Sequence, residues 1–122
     1  MDSPEARRGD PGAVVERISE EIAVIHEESY GRRPAKVTTY LLDDAVLCLC
    51  EIELLPYEAL ILETGDDATI LRMRKAFQET IEPTFVSTIE HMTGRRVVAF
   101  ISDTSLDPPF ALEFFKLRPE GG

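Results

Sequence analysis

The stretch Ala45-Val46-Leu47-Cys48-Leu49-Cys50-Glu51-Ile52-Glu53-Leu54 decides the fold. From Val46 to Cys50 every residue is apolar, and from Glu51 polar and apolar residues alternate. A strand points successive side chains to opposite faces, so an unbroken apolar run predicts a central strand covered on both sides. Upstream, Val37 to Leu42 reads as its partner strand, with Asp43-Asp44 as a two-residue hairpin turn. Downstream, Val97 to Ser102 and Phe110 to Leu117 read as two more strands, connected through Leu106-Asp107-Pro108-Pro109.

Helical periodicity fills the remaining segments. Asp10 suits a helix cap and Pro11 a first turn. Val14, Ile18, Ile22 and Ile25 then recur at spacings of three or four up to a closing Gly31. Pro56 opens a short helical segment, Tyr57 to Leu62, which Thr64-Gly65-Asp66 breaks. A long helix follows from about Ala68 to Met92, closed by Gly94. Its predicted apolar stripe is Ile70, Met73, Phe77, Ile81, Phe85, Ile89 and Met92, with Arg72, Arg74 and Lys75 on a solvated face. Pro83 lacks an amide hydrogen and predicts a kink or break near Glu79 to Glu82.

The expected fold class is α+β in the order α-β-β-α-β-β. It is an antiparallel four-stranded sheet with helices mainly on one face, the long second helix being kinked near Pro83. Residues 1–11 read as a flexible N-terminal tail, 12–117 as one domain and 118–122 as a frayed C-terminal tail.

Composition narrows the function classes. The chain of 122 residues carries 13 Lys+Arg against 23 Asp+Glu, a formal charge of -10 at pH 7. With 43% hydrophobic residues, 7 Gly and 8 Pro, it is neither collagen-like nor wholly disordered. The negative charge argues against nucleic acid and against an anionic membrane surface as partners. No apolar run reaches the roughly 18 residues of a membrane span, and the N-terminus lacks the apolar core of a signal peptide. The expected location is the cytoplasm, with no direct membrane insertion. Cys48 and Cys50 share a strand face about 7 Å apart, too far for an easy disulfide, and read as buried thiols.

Ordered landmarks from Ile18 to Leu117 carry a family resemblance. They include the Glu-rich first helix ending at Gly31 with Pro34 close behind, Asp43-Asp44-Ala45-Val46, and Leu55-Pro56-Tyr57-Glu58. Arg72-Met73-Arg74 and Thr93-Gly94-Arg95-Arg96-Val97-Val98, followed by Ser102-Asp103, complete the set. The chain resembles the small bacterial MpsC-like proteins, a domain of unknown function. The resemblance implies an accessory protein, since some relatives are associated with cation-coupled inorganic-carbon uptake at a membrane. It implies no catalytic residues. Arg32-Arg33-Pro34 stands where relatives often show a Gly-containing loop before proline, and Cys48 and Cys50 stand where aliphatic or polar residues are expected.

Two readings of function follow. Tyr30-Gly31-Arg32-Arg33 and Thr93-Gly94-Arg95-Arg96 each end a helix and open a hairpin. If both loops lie at one end of the sheet, Arg32, Arg33, Arg95 and Arg96 form a candidate anion site and the protein is a small-ligand sensor. The simpler role of these cations is to complement helix C-termini. The leading reading is a non-enzymatic accessory or regulatory protein acting through protein-protein contacts. It rests on apolar groups on both sheet faces: Leu47, Leu49, Val98, Phe100, Phe114 and Phe115 form a candidate interface, and a homodimer is expected. His26 and His91 have no His-x-x-x-His partner and the cysteines no Cys-x-x-Cys spacing. No metal, cofactor or catalytic set is therefore expected.

Overall fold

The computed structural model describes residues 11–120; residues 1–10 of the expected N-terminal tail, with the cap Asp10, and residues 121–122 lie outside the described residues. The described chain runs α1 (Pro11–Tyr30), β1 (Lys36–Leu42), β2 (Ala45–Glu51), α2 (Pro56–Glu63), α3 (Asp67–Thr93), β3 (Val97–Leu106) and β4 (Pro109–Leu117). The architecture is α+β, with three helices and one antiparallel sheet of strand order β1-β2-β4-β3. The short segment after Pro56 is a helix in its own right, so two helices separate the hairpins.

Local chemistry explains the boundaries. Leu42 pairs with Ala45, which leaves Asp43-Asp44 as the two-residue turn. Asp66 caps α3 by accepting from the Thr69 N–H. Gly94 ends α3 at φ 68 and donates its N–H to Glu90 O at 2.9 Å. That left-handed conformation is cheap only without a Cβ. The strand β3 extends past Ser102 to Leu106 because its inward hydroxyls find partners. Ser102 Oγ donates to Glu113 Oε2 at 2.6 Å, and Gln78 Nε2 donates to Thr104 Oγ1 at 2.8 Å.

The helix α3 runs unbroken through Pro83, so the break expected near Glu79 to Glu82 is absent. Pro83 and Glu79 are both exposed, which leaves the carbonyl that lost its amide partner on the water side. Phe85 and Ile89, both fully buried, hold the following turns against the core. In the first half of α3 the buried positions are Ile70, Arg74 and Gln78, while Phe77 is exposed. The expectation of a solvated Arg74 is therefore wrong. The inward positions step by four residues, and Met73 and Phe77 flank them.

The core lies between the helices and one face of the sheet. Val46, Cys48 and Cys50 of β2 and Ala111, Phe115 and Leu117 of β4 meet Ile18, Ile22 and Ile25 of α1 and Phe85 and Ile89 of α3. Fully burying each large side chain contributes about 1.5–3 kcal/mol. Phe115→Ala is expected to destabilise the protein by about 3–5 kcal/mol in urea unfolding. Leu60→Ala, on the exposed side of α2, is expected to cost less than about 1 kcal/mol.

Candidate functional site

Strand alternation sends a second set of apolar side chains away from the helices. One row crosses all four strands as Tyr40, Leu47, Phe114 and Ile101, and the next as Thr38, Leu49, Leu112 and Asp103. Tyr40 is 48% exposed and Ile101 58%. Lys36, Glu51, Asp103 and Lys116 place charges of both signs on the same face. A groove of about 550 Å³ crosses one end of it, lined by Leu49, Glu51, Pro108 and Phe110 among others. Of the expected interface residues, Leu47, Leu49 and Phe114 lie on this open face. Val98 sits at the β-bulge of β3 and is exposed. Phe100 and Phe115 belong to the helix-covered side: Phe115 is fully buried, with its ring 5.0 Å from that of Phe100. Neighbours in a strand face opposite ways, so Phe114 and Phe115 cannot share a surface.

The two arginine loops lie at opposite ends of the sheet. Arg32 and Arg33 precede β1 at the end where Lys36 pairs with Glu51. Arg95 and Arg96 precede β3 at the end where Val97 pairs with Leu117. The four arginines therefore do not converge on one anion within a chain: direction alternates across β1-β2-β4-β3, so β1 and β3 start at opposite ends. Arg32 binds Glu53 at 3.0 Å, and Arg33 pairs with Glu20 of α1. Arg95 donates to the carbonyls of Asp43 and Arg118, both at 2.6 Å, and to Asp44 Oδ1 at 2.7 Å. It thereby ties the β1–β2 turn to the end of β4, whereas Arg96 is exposed.

A buried polar string runs from the helices into the sheet. Glu58 of α2 and Arg74 of α3 form a two-point ion pair at 2.7 and 2.8 Å, with side chains 2% and 5% exposed. The Arg74 guanidinium lies 4.9 Å from the centre of the Tyr30 ring, which stacks on His26 at 5.5 Å. Burial pushes the Tyr30 phenol up to about 12, against the opposing pull of Arg74. His26 hydrogen-bonds Glu113 Oε1 through Nε2 at 3.1 Å, and Glu113 Oε2 accepts from Ser102. Cys50 lies beside them: single ligand atoms of His26, Cys50 and Glu113 all fall within 4.8 Å of one another. Burial raises both thiols, Cys48 to about 12, where a bond to Thr39 opposes the shift. His91 is exposed on α3 while Cys48 is buried against Thr39.

A family model described as "Na+-translocating membrane potential-generating system (MpsC)" matches residues 11–118. The chain belongs to the MpsC family. No match is found among curated proteins or among solved structures.

In this MpsC chain, the open face follows from period-two alternation, but the polar string does not show in spacing along the sequence. Its members come from five elements, and a Glu inside a strand or an Arg on a helix reads as surface by default. One signal was present: Glu113 stands between Leu112 and Phe114 at a position whose neighbours on the same face, Ala111 and Phe115, are apolar. Removing one partner of a buried ion pair strands the other. Arg74→Met is expected to cost about 3–5 kcal/mol in thermal or urea unfolding. The double change with Glu58→Leu is expected to recover most of that loss.

Proposed function

We propose that this chain is a non-enzymatic accessory or regulatory protein that acts on the cytoplasmic side through protein-protein contacts, as a two-fold pair, in a Na+-linked membrane system. The observation that carries the reading is the open sheet face, a contiguous apolar surface spanning four strands. The occupant is a second copy of the chain. A two-fold interface sets one patch against itself, so a face carrying both Lys36 and Lys116 and both Glu51 and Asp103 supplies each sign to the other copy. Sheets stack face to face about 10 Å apart, which would interleave the Tyr40–Ile101 row with its counterpart. The family description supports the link to a membrane potential. Among the described residues no helix is long and apolar enough to cross a membrane. The proposed contact with the membrane system runs through another protein.

Sedimentation equilibrium at tens of micromolar tests the pair. The wild type is expected at twice the chain mass, and Phe114→Glu at the single mass with an unchanged far-ultraviolet spectrum. A monomeric wild type overturns the reading. For the membrane link, washed membranes from the source cell are expected to retain the chain, and protease-stripped ones to lose it. Retention by neither overturns that part.

A further inference from the structure

The cluster of His26, Cys50 and Glu113 has a chemistry that neither the family description nor the docking face addresses. Imidazole nitrogen, thiolate sulfur and carboxylate oxygen are the three donor types of tetrahedral zinc sites. They arrive here from three separate elements, α1, β2 and β4, and all three residues are buried. Among the described residues this is the group of His, Cys, Asp and Glu brought to metal-binding distances.

We propose that His26, Cys50 and Glu113 bind one divalent transition-metal ion of the zinc type. Metal–ligand distances of about 2.0–2.3 Å place tetrahedral ligand atoms roughly 3–4 Å apart. His26 Nε2 and Glu113 Oε1 are already 3.1 Å apart, and the cluster's outer limit of 4.8 Å requires a contraction of about 1 Å from side chains alone. Charge favours the ion. A divalent cation with one thiolate and one carboxylate sums to zero, the arrangement that costs least to bury. On binding, the Cys50 S–H bond gives way to a sulfur–metal bond and its proton leaves to solvent. The proton held between His26 Nε2 and Glu113 Oε1 is displaced as well: the neutral imidazole takes up its Nδ1–H form and offers the Nε2 lone pair. Ser102, 2.6 Å from Glu113 Oε2, fixes the carboxylate from behind. A crevice lined by His26, Tyr30, Arg33, Pro34, Ile52 and Glu53 reaches the imidazole from the exposed Arg33 and Glu53. Of the three ligands this crevice touches His26, so an ion would approach the cluster from the imidazole side.

The test uses the full chain without a histidine tag. After dialysis against Co2+ and removal of free ion, the wild type is expected to hold one cobalt per chain with a near-ultraviolet sulfur-to-cobalt charge-transfer band. Excess Zn2+ is expected to displace it. Cys50→Ser is expected to lose the band and at least tenfold in affinity, while Cys48→Ser keeps both. X-ray absorption of the zinc-loaded wild type reads the same site without any variant, as one sulfur at about 2.3 Å among lighter ligands. Absence of retained metal, a ligand shell without sulfur, or a band abolished by Cys48→Ser but not by Cys50→Ser overturns the proposal.

Discussion

Glu113 lies fully buried in the helix-facing side of a central strand, and much of the structure is arranged around satisfying it. An isolated buried carboxylate carries a desolvation cost of several kcal/mol. Two neighbours meet it directly: His26 from above and Ser102 from the adjacent strand. Each brings a further requirement. The imidazole needs an enclosed place, supplied by Tyr30 on one side and Phe85 at 5.7 Å. The hydroxyl of Ser102 extends β3 inward-polar, and Thr104 two residues later needs Gln78. A single acidic position in β4 is thus matched by polar groups on α1 and β3.

The opposite side of the sheet obeys a simpler constraint. Both long helices pack on one face, and the chain has no third layer among the described residues. The alternating strands nevertheless place Tyr40, Leu47, Phe114 and Ile101 in a row on the other face. Ordinary one-sided antiparallel sheets put polar residues there. The acidity of the chain belongs to the helices and turns, while the open face carries mixed charge around an apolar centre. That division separates a surface of one sign from one that carries both signs.

Legibility in the sequence tracked how local each determinant is. The hairpin at Asp43-Asp44 and the Gly94 helix end depend on a few neighbouring residues, and both read correctly. The open face was half legible: alternation is local, but which parity faces the helices is settled by packing, and Phe100 and Phe115 fell on the covered side. The arginine loops look alike along the chain, yet antiparallel connection places them at opposite ends. The polar string was illegible in sequence spacing because its bonds join residues far apart, such as His26 to Glu113 and Arg74 to Glu58.

The frame of α3 shows what those polar bonds accomplish. Hydrophobicity ranks Met73 and Phe77 above Arg74 and Gln78 for burial, and a helix rotated by part of a turn would bury them. The structure takes the other choice, leaving Phe77 42% exposed against Tyr30 at 5.5 Å. Buried ion pairs add little net stability over apolar substitutes, so the energy of burial does not explain the selection. Mismatch does. In the rotated frame Thr104 would lose Gln78, and the buried Glu58 would lose Arg74 and keep only the Leu55 N–H, at about 1–3 kcal/mol or more for the charged group. Phe85 and Ile89 supply the burial in the second half of the helix. The polar pair in the first half sets its rotation, and with it the wall of the cluster that holds His26 against Glu113.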